Sequence, residues 1–260
     1  MLLWIMLTTG CKDRGETGDP IDTGEPAASL AWEAVAEDVA EGAFLSVWGA
    51  TAEDVWIVGG QPEAGHILRG SGTTWTAQAL PAGTPLLNWV HGTSSSDVWV
   101  AGISGTLLHW DGAAWSDHSI DTEAAFWGLY ADADGSVLAV GGASRWGGEA
   151  AMVWGYDGSD WSTIALPEKL AGLGNLFKVH RGDDGRYWLV GAGGAAMVGD
   201  GTDFSAVATG YAGDLVTVSR PPAGGPLVVV GGRGTGIVME PDGERLSASA
   251  EANAGLNGGC

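Results

Sequence analysis

The chain has few positive charges: 11 Lys and Arg stand against 32 Asp and Glu, a net charge of −21 over 260 residues. That balance makes nucleic acid and anionic lipid headgroups poor partners, because both would be repelled. Cysteine is nearly absent. Cys11 and Cys260 lie at opposite ends of the chain, which excludes a disulfide framework and a cysteine metal cluster. Beyond the first ten residues no stretch is apolar for long enough to span a bilayer. Charged residues reach only 17%. What is abundant is glycine, at 45, and tryptophan, at 14, a mixture suited to tight turns and aromatic-packed sheets rather than helices.

One stretch organises the rest: Val90–Trp115, VHGTSSSDVWVAGISGTLLHWDGAAW. Val98, Trp99, Val100 and Ala101 are β-branched, aromatic or small, and Gly102 closes them as a strand end. Thr106–Trp110 reads as a second strand, and Asp111-Gly112 as a hairpin turn, since glycine accepts the positive φ such turns need. Trp115 starts a returning strand. The unit is thus a meander of four short strands, A to D.

Five copies are present. The A–B hairpins are Val47–Gly59, Val90–Gly102, Leu129–Gly141, Val179–Gly191 and Ser219–Gly231. The C–D hairpins are Gly65–Trp75, Gly105–Trp115, Ala151–Trp161, Gly194–Phe204 and Gly236–Leu246. The closing glycines step by 43, 39, 50 and 40 residues. Four strands repeating at that period are the signature of propeller blades. The expected fold is therefore all-β, a β-propeller of four-stranded antiparallel blades with five repeats in this chain, or a fragment of a six- or seven-bladed propeller.

The recurring VWG…DVWxVG…DGxxW pattern resembles that of bacterial exported propeller lipoproteins, and more distantly kelch and Asp-box (BNR) repeats. An Asp-box places one residue between Asp and Gly, whereas Asp111 and Gly112 are adjacent. Met1–Gly10 followed by Cys11 resembles a lipoprotein export signal, although Thr8 stands where leucine is usual and no Lys or Arg precedes the apolar run. That resemblance implies lipid attachment at Cys11 and a place in the bacterial cell envelope, at the outer membrane or cell surface. Residues 12–30 are acidic, rich in Gly and Pro and free of aromatics, as a flexible linker requires. The domain expectation is 1–11 signal, 12–30 linker, 31–250 propeller and 251–260 tail or the start of a further blade. Trp32–Val35 matches an outer-strand position and is expected to complete the last blade, closing a five-bladed ring.

The A–B and C–D turns share one rim of a propeller and are constant here. The B–C and D–A connections share the other and vary in length, so that rim is the expected binding face. Its candidates are Gln61, Glu63, Arg145, Trp146, Glu149, Tyr211 and Arg233. Arg145 with Trp146 has the chemistry to hold a sugar face or a carboxylate. By register, Trp48, His91, Tyr130, His180 and Arg220 share one innermost-strand position, where packing wedges are the favoured reading over a metal site. Asp132-Ala133-Asp134-Gly135 and Asp183-Asp184-Gly185 lack the further ligands of a calcium loop and read as turns. No metal or cofactor is implied. The expected function is a non-enzymatic, membrane-tethered binding or scaffold propeller, a monomer recognising protein or glycan. The alternative is a sialidase-like glycan hydrolase, which needs several arginines converging on one carboxylate.

Overall fold

The structure is a computed structural model that describes Ala34 and residues 39–143, 150–221, 225–232, 234–243 and 245–252. Cys11, the linker, Trp32, Arg145, Trp146, Glu149 and Arg233 lie outside the described residues. Five four-stranded antiparallel sheets account for the described strands. The first blade holds β1 (Ala43–Thr51), β2 (Asp54–Gln61), β3 (Ala64–Ser71) and β4 (Thr74–Ala77). The second holds β5 (Leu87–Ser94), β6 (Asp97–Gly102), β7 (Leu107–Trp110) and β8 (Trp115–Asp117). The third is β9 (Ala125–Ala131), β10 (Val137–Gly142), β11 (Met152–Tyr156) and β12 (Trp161–Ile164). The fourth is β13 (Leu176–Arg181), β14 (Tyr187–Gly191), β15 (Ala196–Gly199) and β16 (Phe204–Ala206). The fifth is β17 (Leu215–Ser219), β18 (Val228–Gly232), β19 (Gly236–Asp242) and β20 (Arg245–Ala252).

Each blade is a meander, and the innermost strands pack in chain order, β1 on β5, β5 on β9, β9 on β13 and β13 on β17. The second strands are buried on both faces, which is why they read as continuous apolar runs and not as an alternation. The core lies between blades. Trp56, Val58 and Ile67 of the first blade meet Val90, Val98 and Leu108 of the second. Trp99 and Leu107 of the second meet Phe126 and Leu129 of the third. Leu138 and Val153 of the third meet Leu176, Leu189 and Met197 of the fourth. Trp188 and Val190 of the fourth meet Leu215, Val229 and Ile237 of the fifth. Each such side chain contributes about 1.5–3 kcal/mol by leaving water, so adjacent blades stabilise one another.

The closing glycines do more than end strands. In every blade the innermost strand carries one extra residue, a β-bulge, at Leu45, Asn88, Trp127, Phe177 and Val216. The bulge swings a carbonyl over the facing glycine. A Cβ on Gly59, Gly141, Gly191 or Gly231 would stand 1.9, 2.0, 2.2 or 2.1 Å from the oxygen of Ala43, Ala125, Asn175 or Asp214. On Gly102 it would stand 2.5 Å from that of Leu86. The glycine is therefore required by close approach of backbone, at the point where each inner strand begins.

Asp-Gly stands in the C–D turn of the second, third and fourth blades, as expected. Pairing stops at Trp110↔Trp115, Tyr156↔Trp161 and Gly199↔Phe204, leaving four-residue loops. There the aspartate caps the loop: Asp111 Oδ1 accepts from the amides of Ala113 and Ala114, both at 2.8 Å. Asp157 and Asp200 do the same in their blades. One expectation needs correction: the fifth A–B hairpin is one residue longer than the others. Ser219 pairs with Val228 as His180 pairs with Trp188, so Ser219, not Arg220, shares the position of Trp48, His91, Tyr130 and His180. The fifth sheet takes its outer strand from its own repeat, β20; the expected closure by Trp32–Val35 falls on a stretch of which only Ala34 is among the described residues. The strands β17 and β1 do not pack as β1 and β5 do. Val47 is 42% exposed, whereas Val90, Leu129, Val179 and Val218 at the same register are 1–5% exposed.

Candidate functional site

Two rims and a channel hold the chemistry. On the rim of the A–B turns, the DVW motif has a role that composition did not suggest. Asp54 takes Arg69 from the facing strand in a two-pronged pair, Nε to Oδ1 at 2.6 Å and Nη2 to Oδ2 at 3.1 Å. The guanidinium thereby lies over Trp56. In the second blade Asp97 Oδ1 accepts from His109 Nε2 at 2.8 Å, and the imidazole stacks on Trp99 at 4.3 Å. The motif aspartate positions a cross-strand side chain that covers the tryptophan of the same strand.

A concavity also opens on this rim, between the third and fourth blades. It has a volume of about 510 Å³ and is lined by Asp134, Tyr156, Asp157, Arg181, Tyr187 and Asp200 among others. Asp132 Oδ2 orders one wall, accepting from Arg181 Nη1 at 2.6 Å and from the Tyr187 hydroxyl at 2.7 Å. Burial and that carboxylate push the Tyr187 phenol up to about 12. Asp132-Ala133-Asp134-Gly135 forms a turn, with Asp134 Oδ1 bonded to the amide and hydroxyl of Ser136. The rim read as scaffold thus carries a cleft as well.

On the opposite rim, Gln61 and Glu63 share the exposed tip between β2 and β3. That tip is tied to the next D–A connection by the bonds Gly65 N to Thr84 O at 2.8 Å and Leu86 N to Pro62 O at 3.4 Å. Tyr211 stands between the fourth and fifth blades, and its ring packs on the core there. It serves the scaffold as well as the rim, and the structure places it on different blades from Gln61 and Glu63. The sequence reading missed a smaller cleft on this rim, about 250 Å³, walled by Pro81–Pro85, Ser104 and Thr106. Ser104 has φ 52°, the sole positive value at a non-glycine among the described residues. Strain of that kind persists only where surroundings impose it; here Thr106 Oγ1 bonds Ile103 O at 2.7 Å and Gly105 is paired with Ala124 and Ile120.

Inside, the innermost strands present a ladder of rings across four blades. Trp48 lies 6.1 Å from His91, His91 stacks on Tyr130 at 4.5 Å, and Tyr130 meets His180 at 5.3 Å. These are packing wedges. Desolvation lowers His91 to about 4 and also lowers His180, so both rings are neutral at pH 7. Trp56, Trp99 and Trp188 are core, at 0–3% exposure. Trp115 and Trp161 pack against the same clusters, whereas Trp75 caps its own turn by bonding Gly72 O at 3.0 Å.

No protein-family model and no curated protein sequence matches the chain. Solved structures do. Ycf48 bound to a D1 peptide superposes with a TM-score of 0.60 at 15% identity, covering 85% of this chain and 71% of that one. The C-terminal WD40 domain of Sif2 gives a TM-score of 0.56 at 13% identity, covering 83% of this chain and 63% of the domain. At such identities the likeness concerns architecture alone. By its sheets and by these likenesses the chain is built as a β-propeller.

Proposed function

We propose that this protein is a non-catalytic binding propeller of the bacterial cell envelope, lipid-anchored through Cys11, which recognises a protein partner or a glycan through its B–C/D–A rim. The observation that carries this reading is the contrast between rims. On the A–B/C–D rim the turn aspartates of the second, third and fourth blades are committed to their own loops, and four of the arginines there to single carboxylates. Arg69 pairs with Asp54, Arg181 with Asp132, Arg186 with Asp184 and Arg220 with Asp183. The opposite rim has connections of unequal length, an exposed Gln61–Glu63 tip and a strained Ser104 beside a cleft. Irregular loops on a rigid frame are where binding residues concentrate. The peptide bound by Ycf48 is in keeping with a protein partner.

The four paired arginines also weigh against the hydrolase alternative, since they point to separate acids and not to one shared substrate carboxylate. A photo-crosslinking residue at Glu63, in cells, is expected to give an adduct that the same residue at Asp183 does not. Adducts from Asp183 alone would move the binding face to the other rim. Turnover of any member of a fluorogenic glycoside panel would replace the binding reading with the hydrolase. Cys11→Ser is expected to abolish incorporation of labelled palmitate.

A further inference from the structure

Lys178 is one of three lysines in the chain, and it stands on β13, an innermost strand. Its register equivalents are Ser46, Trp89, Gly128 and Thr217, none of them charged. The side chain reaches past the third blade to the second. Its Nζ donates to Trp127 O at 2.6 Å and lies 3.7 Å from the centre of the Trp89 ring, itself held by a bond from Nε1 to Leu129 O at 3.0 Å. An ammonium has three N–H groups. One is taken by the carbonyl and the indole face accepts the charge, but among the described residues no carboxylate pairs with it. Desolvation alone draws its pKa down to about 7.

Lys178 lines a cavity of about 250 Å³ together with Trp89, His91, Tyr130, His180, Ser219 and their neighbours on the inner strands. The other polar groups there are oriented by bonds to the backbone. His91 Nδ1 accepts from Ala131 N at 3.1 Å, so its proton sits on Nε2, leaving that nitrogen a donor. His180 Nδ1 donates to Arg181 O at 2.9 Å, which fixes the opposite tautomer. The cavity therefore combines an unpaired cation, a neutral N–H donor and hydroxyls with aromatic and aliphatic walls. Such a set complements a small anion carrying an apolar group.

We propose that the channel is a binding site for small monocarboxylates, with the carboxylate on Lys178 Nζ and the apolar part against Tyr130 and the aliphatic walls. The site is separate from the loop rim, so it stands whether or not that rim binds a partner. A ligand this small is expected in the millimolar range.

The test uses the full chain and two isosteric probes, 4-fluorobenzoate and the neutral 4-fluorobenzamide, followed by fluorine NMR. The acid should show saturable broadening, and the amide should bind at least about tenfold more weakly, each factor of ten being about 1.4 kcal/mol. Lys178→Met should abolish binding of the acid. Because that variant removes a channel side chain, a second readout uses the unaltered protein: benzoate should slow acylation of Lys178 by an N-hydroxysuccinimide ester, while the exposed Lys169 reacts at an unchanged rate. Equal binding of acid and amide, absence of saturation, or equal protection of both lysines would overturn the proposal.

Discussion

Arg69 lies over Trp56, its guanidinium carbon 4.4 Å from the ring centre, because Asp54, two residues before that tryptophan, holds it there. Three residues from two strands thus act as one unit at the end of a blade. Arg69→Met should cost about 1–2 kcal/mol, combining a half-buried ion pair with a cation–π contact. Asp54→Ala should cost a similar amount. The double variant should fall short of the sum by about 1 kcal/mol in urea denaturation; strict additivity would mean that the aspartate does not work through the arginine.

Gly141 and Gly135 allow two demands on glycine to be separated within one blade. A Cβ on Gly141 would sit 2.0 Å from Ala125 O, whereas Gly135 faces open space but has φ 89°. Gly135→Ala should cost about 1–2 kcal/mol, the price of a left-handed backbone. Gly141→Ala should cost more than about 3 kcal/mol, since the bulge itself must be undone. The two unfolding midpoints compared side by side decide whether the carbonyl contact governs the blade.

Ser104→Gly should stabilise the protein by about 1 kcal/mol, by relieving a non-glycine residue at φ 52°. Thermal unfolding reads this directly. If Ser104 also contacts a partner at the cleft, the same variant will bind less well while melting higher, the usual trade of stability against function.

Acid sensitivity should concentrate in the C–D loops. Amide donors from Thr202 and Asp203 hold Asp200 down at about 2, and similar bonds lower Asp111 and Asp157. A depressed carboxylate stabilises the fold above its unfolded pKa near 3.8, and that contribution fades as pH falls toward about 2. Asp200→Asn keeps an acceptor oxygen without the charge. It should flatten the urea midpoint between pH 4 and pH 2, roughly the window between the two pKa values.

Lys178 also makes stability rise with pH, but in a higher window and by disfavouring its charged form. Below about 7 it is charged both folded and unfolded, so the penalty for desolvating it is present in full. Between about 7 and 10.5 the folded protein has released the proton while the unfolded chain still holds it, and stability climbs with pH. Lys178→Met should raise stability at pH 6 and remove that climb.

The periodicity of hairpins and the double burial of the second strands made the blade plan legible from residues alone, because the first depends on local turn chemistry and the second leaves unbroken apolar runs. The bulges were not legible. Leu45, Asn88, Trp127, Phe177 and Val216 share no side-chain character, since the feature belongs to the backbone, and its trace was the glycine opposite. The extra residue in the fifth A–B hairpin broke a gapless comparison, which is why Arg220 stood in for Ser219. Lys178 escaped notice because Trp89 is a neighbour only once three blades are in place. A lysine where other repeats have uncharged residues was the signal available.

The five carbonyl-to-glycine contacts sit where each B–C link departs and each D–A link arrives. They act as insulation: a connection can be lengthened on its outer side without disturbing the strand it feeds. The ten residues by which Gly141 and Ala151 are separated, against three for Gly102 and Gly105, meet sheets of the same pattern. A designer wishing to graft a recognition loop onto this protein would cut just outside those contacts and leave the glycines alone.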